Sequence, residues 1–350
     1  MDEATFRILD TLSRKLGNAV SIRQLTSAIR LHHGTAYYAG IYNKLNDLTK
    51  QRLIRITKAG RSSVPALDLS SYTLLDLLSE MEMRRKREFL GRFKAFQPLL
   101  MDMEGYAHGD AQIESVLLID PERNAKLNRA EVLIMTRDSH EVDSDGSIRA
   151  AARDAQGRHN IRVDALPVSA GDLVKMLASD GVHPLKKMLS NEIAFHNPHA
   201  FWTEIAHAFV RGYGMRFQDE EMDPRKTTES DLIFNLNRLG YREIGPRVSQ
   251  GEKACPEYTV MSTLVKGGAR RVNAIPVIMA KNEINYDLLV FLAQKYGLPD
   301  RLLGLLKAMH RIKPQEKVAA AIDVLEASGT KAIKADERAI GNSMRLYNAA

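Results

Sequence analysis

The sequence predicts a multi-domain α+β protein, and three observations lead to this class. The chain has 350 residues, which is more than one ordinary domain holds. Helical periodicity in the first fifty or so residues gives way to alternating strand patterns, which return between residues 113 and 167. Leucine-rich helical patterns dominate after residue 285, so the C-terminal region is expected to be mostly helical.

The composition excludes several classes of protein. With 44% hydrophobic and 27% charged residues it is ordinary for a globular chain. No segment approaches the roughly 18 apolar residues of a membrane span, so no membrane partner is expected. The first residues lack the basic and apolar regions of a secretion signal. The single cysteine, Cys255, excludes an internal disulfide framework and a Cys-based zinc ribbon. A cytoplasmic location is therefore expected.

Positive charge is concentrated at the start of the chain. Residues 1–100 contain 17 Lys and Arg against 9 Asp and Glu, whereas the remainder contains 33 against 34. An excess of this kind suits a surface that faces phosphates, because neutralised phosphates release their counterions. A solvated basic face without a ligand is the alternative interpretation.

The first 71 residues show three helical patterns followed by a hairpin. Ser21 and Thr35 have the residue types that cap the second and third helices. A turn rich in basic and small residues joins two alternating segments. The predicted elements are helices over 6–16, 22–31 and 35–50 and strands over 53–57 and 64–69. Helix, helix, short turn, helix and hairpin is the order of a winged helix-turn-helix.

Residues 21–56, SIRQLTSAIRLHHGTAYYAGIYNKLNDLTKQRLIRI, resemble the winged-helix regulators of bacteria and archaea. Leu45, Leu48 and the segment QRLIRI match the passage from recognition helix to wing. The resemblance implies a third helix in the major groove, a wing on the DNA backbone, and double-stranded DNA as partner. Winged helices also serve as protein-contact modules, which is the alternative. The residues expected to contact DNA are Arg23, Arg30, Tyr37, Tyr38, Asn43, Lys44, Lys58 and Arg61.

These candidate residues have different expected roles. Asn43 has the amide that pairs with an adenine edge, and Tyr37 and Tyr38 suit phosphates or thymine methyl groups. Lys44 lies on the same exposed face of the third helix. The four arginines and lysines outside that helix are expected to position the module on phosphates without reading sequence.

Residues 72–104 are predicted to be a linker or dimerisation helix. An apolar side runs through residues 72–100, which predicts one long helix, and a basic run lies at 83–87. A helix after the wing builds the dimer in many winged-helix regulators, so a homodimer is expected. The basic run is otherwise a solvated face.

The sequence pattern of residues 105–211 predicts a small α/β domain. Apolar strands are predicted over 113–119, 130–135 and 161–167, with helices after them. This order, and the segment VSAGDLVKMLASDGVHPLKKMLSNEIAFHNPHAFWTEI at 168–205, resemble the minimal nucleotidyltransferases of the DNA polymerase β superfamily. The resemblance implies two carboxylates at alternating strand positions and a third on a later strand, which together hold metal ions.

The sequence departs from that family at the expected active site. Arg129 stands where the first carboxylate belongs, and Asp120-Pro121 replaces the Gly-Ser that holds phosphates. Glu131 and Asp164 remain as acidic positions. The domain is therefore expected to be catalytically degenerate, with no catalytic residue or metal ligand assigned. A nucleotide or Mg²⁺ could still bind there, and Arg123 and Arg129 are the candidate phosphate contacts.

Residues 212–350 are predicted to form an α-rich C-terminal domain. Alternation over 258–265 predicts a strand, and residues 271–279 are expected to pair back as a hairpin. Cys255 has no histidine partner that the sequence identifies, so a nucleophilic role is unsupported.

The function predicted from these patterns is that of a DNA-binding transcriptional regulator. In this interpretation its nucleotidyltransferase-like domain serves for sensing or as a scaffold. The alternative is an active, metal-dependent nucleotidyltransferase acting on nucleic acid or protein. A third possibility is an adaptor whose winged helix contacts protein instead of DNA.

Overall fold

The structure is a computed structural model with mixed α and β content, in which helices predominate. It describes residues 1–137, 142–218, 220–242 and 248–349, with the backbone alone at 142–147 and 269–270. The chain divides into two compact units. Among the described residues, no helix combines the length and the apolar character needed to cross a membrane. The first unit comprises Met1–His140, Ile148–Ser179 and Leu185–Glu220, and the second comprises Glu141–Ser147, Asp180–Pro184 and Glu221–Ala350.

The first unit begins with three helices and a hairpin, which we call the N-terminal module. Its elements are α1 (Glu3–Arg14), α2 (Ile22–His33), α3 (Tyr38–Lys50), β1 (Ile54–Ala59) and β2 (Ser62–Leu67). The two strands pair antiparallel. Ser21 caps α2 through a reciprocal capping box with Gln24. The predicted cap at Thr35 is wrong, because α3 begins at Tyr38 and Tyr37 occupies the N-cap position without a side-chain hydrogen bond.

The long helix predicted over residues 72–100 is two helices. The chain forms α4 (Tyr72–Arg92), a short 3-10 turn (Lys94–Phe96) and α5 (Gln97–Gly109). The break has a local cause, because Pro98 lacks an N–H and restricts the residue before it. Helix α4 contacts β6 and α10, defined below.

A four-stranded sheet forms the centre of the first unit. Its strands are β3 (Ile113–Ile119), β4 (Arg129–Thr136), β5 (Arg162–Ser169) and β6 (Glu192–His196), in the order β5-β4-β3-β6. Strand β3 is antiparallel to β4 and β6, whereas β4 and β5 are parallel and joined through α7 (Val142–His159). The remaining helices of this region are α6 (Pro121–Lys126), α8 (Ala170–Ala178), α9 (Pro184–Met188) and α10 (Pro198–Val210).

The two faces of the sheet are covered by different helices. One face packs on α5, on residues of α7 and on the end of α4, and its core contains Val116, Val132 and Phe195. Helices α8 and α10 contact the strands as well. Residues that alternate with those of the first core along the strands, such as Leu133, point to the other face and are just as buried. Both faces are therefore buried, which is why these strands read as nearly continuous apolar runs.

The segment after α10 returns to the N-terminal module. The Phe217 N–H donates to the carbonyl of Leu16 at 2.9 Å, and the Asn18 side-chain amide donates to the carbonyl of Phe217 at 2.7 Å. Gly17 lies between them with a φ of 75°, and a Cβ there would be 2.0 Å from the carbonyl oxygen of Met215. Only glycine fits this contact without a backbone shift.

The described part of the second unit is helical. Its elements are α11 (Glu229–Arg238), α12 (Pro256–Lys266), α13 (Ala269–Val272), α14 (Ile275–Lys281), α15 (Tyr286–Tyr296), α16 (Pro299–Ile312), α17 (Glu316–Ala327) and α18 (Glu337–Leu346). The predicted strand over 258–265 and the hairpin with 271–279 are wrong, because α12 and α14 occupy these residues. Residues Glu257 to Leu264 are buried all around the helix, which removes the helical periodicity from the sequence.

Candidate functional site

Exposed aromatic side chains lie on α3 and at its N-cap. Ile41, Leu45 and Leu48 point into the core, which turns the other side of the helix outward. Tyr38 and Tyr42 are 48% and 43% exposed, and their rings stack with centroids 6.1 Å apart. We call Tyr37, Tyr38, Tyr42 and Asn43 the α3 face. Tyr37 is 77% exposed, and Asn43 is also exposed.

The hairpin turn places two basic side chains in solvent. Lys58 is the last residue but one of β1, Gly60 adopts a φ of 59°, and Arg61 precedes β2. Lys58 and Arg61 are both exposed. Lys58 pairs with Ser63 in the register of the hairpin, so the two charges lie at the same tip.

The other predicted contact residues make different interactions. Arg23 is exposed on α2. Arg30 donates to the carbonyl of Ala36 at 3.1 Å, which holds the turn between α2 and α3. Lys44 forms an ion pair with Asp2 at 2.7 Å, and this hydrogen bond is the largest cause that lowers the pKa of Asp2 to about 2. Lys44 is thus paired within the module.

A buried ionic cluster joins the N-terminal module to the sheet. We call Asp10 of α1, Glu82 and Arg85 of α4, and Glu192 of β6 the junction cluster. Arg85 donates to Asp10 and to Glu82, each at 2.6 Å, and lies 3.6 Å from Glu192. All four side chains are buried. Because α4 carries the arginine, one guanidinium connects elements that are distant in the chain.

Burial and charge act differently on the acids of this cluster. Burial is the largest single influence on the pKa of Asp10 and tends to raise it, but the combined effects of Arg85, His33 and Arg14 lower the pKa overall. Burial, together with the charge of Glu82, raises the pKa of Glu192 to about 8. Asp10 also lies 3.0 Å from the Nε2 atom of His33, the last residue of α2. The cluster therefore connects to the turn that precedes the α3 face.

Sequence analysis missed the junction cluster, although the sequence carried a signal. Glu82, Arg85 and Phe89 recur at positions that α4 buries, and opposite charges at such positions indicate a buried pair. The identity of the partner, Asp10, 75 residues away, has no local signal.

The predicted vestigial site lies at one end of the sheet, and the structure brings its central residues together. Glu131 and Asp164 are directly paired in the register of the parallel strands β4 and β5, so their side chains share a face. The Nε atom of Arg129 donates to Asp164 at 2.6 Å, and its other end lies 3.3 Å from Glu131. Arg162 adds a contact to Asp164 at 3.1 Å. We call Arg129, Glu131 and Asp164 the carboxylate site.

Asp120 and Arg123 lie at the same end of the sheet but outside this arrangement. Asp120 follows β3 with a φ of 43°, and its carboxylate accepts a hydrogen bond from Asn191 at 3.0 Å. Arg123 is exposed on α6. The five predicted residues therefore divide into a compact group, formed by two buried acids and the partly buried Arg129, and two flanking residues with other surroundings.

The carboxylate site already contains a positive charge that pairs with its two acids. Two buried carboxylates that are paired in register on neighbouring strands would ordinarily require a cation, because burying unpaired charges is costly. Arg129 supplies that positive charge from the first position of the strand, where it contacts both acids. The guanidinium of Arg129 thus supplies the positive charge that a metal ion would otherwise supply to the two carboxylates.

Comparisons of the chain with protein-family models, with curated proteins and with solved structures gave no significant match. The assignment of function consequently depends on the residues and contacts described above.

Proposed function

We propose that this protein binds double-stranded DNA through the N-terminal module, which we interpret as a winged helix-turn-helix, and that it acts as a transcriptional regulator. The observation that carries the proposal is the α3 face, where stacked and exposed tyrosines stand next to an exposed asparagine. Large aromatic side chains left in solvent on one helix face are typical of a binding surface. In a winged helix the third helix is the one that enters the major groove.

The chemistry of the α3 face suits DNA. The amide of Asn43 has the donor and acceptor that match an adenine edge, and the tyrosine hydroxyl groups of Tyr38 and Tyr42 can donate to phosphates. Lys58 and Arg61 at the hairpin tip provide the flexible positive charges that a wing places on the backbone. The excess of Lys and Arg in the first hundred residues supports the same partner.

The sheet domain enters the proposal as a non-catalytic part. Strand β3, the short helix α6 and strand β4 follow one another, and the neighbouring strand β5 carries Asp164. This order supports the nucleotidyltransferase resemblance. Arg129, however, pairs with both acids that such an enzyme would use for its metal ions. We therefore assign this domain a scaffolding or sensing role and propose no nucleotidyl transfer.

The proposal is tested by mobility-shift titration of the full-length protein against duplex DNA from its own promoter and of random sequence, at several salt concentrations. Three variants are compared with the unaltered protein. Tyr38→Ala/Tyr42→Ala removes the aromatic pair, and Lys58→Ala/Arg61→Ala removes the charges of the hairpin tip. Lys94→Ala/Lys126→Ala is the matched control, since it removes two exposed charges outside the N-terminal module.

We expect binding that weakens with salt. The hairpin double variant should reduce the slope of log affinity against log salt by about 0.9 for each phosphate that the hairpin tip no longer neutralises, on the general scale for duplex DNA. The tyrosine variant should weaken binding, and the control should behave like the unaltered protein. Absence of binding at low salt, or an equal decrease in affinity for the hairpin and control variants, would overturn the proposal and favour a protein-contact role for the module.

A further inference from the structure

Three metal-ligating side chains converge in the second unit. They are His183, Cys255 and Glu257, and their ligand atoms all lie within 4.8 Å of one another. His183 and Glu257 are buried, and Cys255 is partly buried. This cluster brings a histidine to the cysteine for which the sequence identified none.

The backbone holds the cluster in place independently of its side chains. Val182 and Ala254 form an isolated parallel bridge, in which the Val182 N–H donates to the carbonyl of Lys253 at 2.7 Å and the Cys255 N–H donates to that of Val182 at 3.1 Å. Gly181 approaches so closely that a Cβ there would be 2.3 Å from the Lys253 carbonyl oxygen. Residues 72 positions apart in the chain are therefore fixed side by side.

The start of α12 supplies the other two ligands. Cys255 is the N-cap residue of this helix, Pro256 occupies its first turn, and Glu257 follows. The Asn285 N–H donates to Oε1 of Glu257 at 2.8 Å, which orients the carboxylate. A hydrogen bond of this kind behind a ligand is typical of the outer shell of a metal site.

We propose that His183, Cys255 and Glu257 bind one divalent transition-metal ion, with zinc as the best match. Thiolate sulfur, imidazole nitrogen and carboxylate oxygen are the ligand types that zinc takes in proteins. Magnesium and calcium prefer sites made of oxygen alone, so the cysteine and histidine exclude them as the preferred occupant. Three protein ligands leave the fourth tetrahedral position to a water molecule, which can enter beside the partly exposed Cys255.

A bound ion would cross-link the segment at residues 181–183 to the start of α12. It would add this cross-link to the isolated backbone bridge between Val182 and Ala254. This inference concerns the second unit and does not depend on DNA binding.

The first test uses cobalt as a spectroscopic substitute for zinc in the full-length, metal-depleted protein. Because the chain has one cysteine, any thiolate-to-cobalt charge-transfer band in the near ultraviolet must come from Cys255. We expect this band to saturate at one cobalt ion per chain and to disappear when zinc is added. A saturating cobalt titration without the band would overturn the proposal, and no variant is needed to reach that result.

The second test measures zinc affinity by competition with a chromophoric chelator. Cys255→Ser and His183→Gln should each weaken zinc binding by at least about tenfold, the lower end of the effect seen even for outer-shell changes. His207→Ala is the control, because His207 is an exposed histidine near Glu204 and lies outside the cluster. Circular dichroism confirms that each variant keeps its helical content. Folded cluster variants that bind zinc as tightly as the control would overturn the assignment.

Discussion

The Nε atom of Arg129 lies 2.6 Å from Oδ2 of Asp164, across the parallel strands β4 and β5. The same guanidinium lies 3.3 Å from Oε1 of Glu131, and both acids are almost wholly buried. Arg129 thus contacts two negative charges in the four-stranded sheet, and Arg162 adds a second positive charge beside Asp164. This arrangement has consequences for stability and for the binding of cations, which two experiments address.

Removal of the Arg129 guanidinium should destabilise the protein strongly. Arg129→Ala removes the guanidinium that contacts both buried carboxylates, although Arg162 still contacts Asp164. Breaking a buried ion pair costs about 3–5 kcal/mol of unfolding free energy. The matched control is Arg92→Ala, since Arg92 pairs with Glu122 at 2.8 Å on the surface. An exposed pair contributes about 0–1 kcal/mol. Urea denaturation measures both, and equal effects of the two substitutions would show that the pair at the carboxylate site is energetically unimportant.

The same substitution should create a response to divalent cations. Without the Arg129 guanidinium, Glu131 and Asp164 stay paired in register on neighbouring strands, with Arg162 beside Asp164, and a hard cation can bind to the two carboxylates. We expect Mn²⁺ to raise the melting temperature of Arg129→Ala more than that of the unaltered protein. Arg129→Lys, which keeps the positive charge, is the control and should respond weakly. If Mn²⁺ stabilised all three proteins to the same extent, Arg129 would not occupy the place of a cation.

Stability should fall as the pH rises through the range in which Glu192 titrates. The folded protein holds the pKa of Glu192 at about 8, above the value of an unfolded glutamate, because the side chain is buried beside Glu82. Between pH of roughly 4.5 and 8 the unfolded chain therefore binds fewer protons than the folded one, and stability decreases by roughly 1.4 kcal/mol for each unit of raised pKa. Below that range both states are protonated, and the penalty is absent.

Glu192→Gln tests this assignment, because it removes the titration while keeping the shape of the side chain. We expect the variant to gain stability over the unaltered protein at pH 8 and to match it near pH 4.5, as measured by chemical denaturation across the range. Glu88→Gln, an exposed change on α4, serves as the control and should leave the pH dependence unchanged. A pH profile that Glu192→Gln does not alter would assign the dependence to another group.

Gly17→Ala should disrupt the return of the chain onto the N-terminal module. The added methyl group would lie 2.0 Å from the Met215 carbonyl oxygen, and the positive φ adds strain. We expect the unfolding free energy to fall by about 2 kcal/mol or more, at the level of other strained positions. Gly105→Ala within α5 is the opposite case, because nothing lies within 4 Å of the added atom. It should stabilise the protein by about 0.5–1 kcal/mol, so a similar result for both would exclude the close contact.

Local patterns predicted most of the N-terminal module and of the sheet. The strands over 113–119, 130–135 and 161–167 correspond to β3, β4 and β5 within a residue or two. Arg129 and Glu131 could be placed on one side of a strand by alternation alone. Their partner, Asp164, was reached through the family resemblance, because no sequence pattern states which strands are neighbours.

The failures have physical causes. At residues 258–265 the β-branched and aromatic residues imitate a strand, but Pro256 begins a helix there and burial on all sides supplies its stability. At residues 72–100 the apolar periodicity continues across Pro98 and so predicts one helix. The chain instead ends α4 at Arg92 and begins α5 at Gln97. His183 and Cys255 belong to segments joined by a single bridge between distant residues, which has no periodicity to detect.

The junction cluster also bears on how such a protein can evolve. Recombination can move a small N-terminal module from one chain to another. Here a transplanted N-terminal module would carry Asp10 away from Arg85, and the buried arginine would keep Glu82 and Glu192 but lose its 2.6 Å contact with Asp10. The N-terminal module and the four-stranded sheet are therefore expected to be inherited together. A change at Asp10 would require a compensating change among Arg85, Glu82 and Glu192.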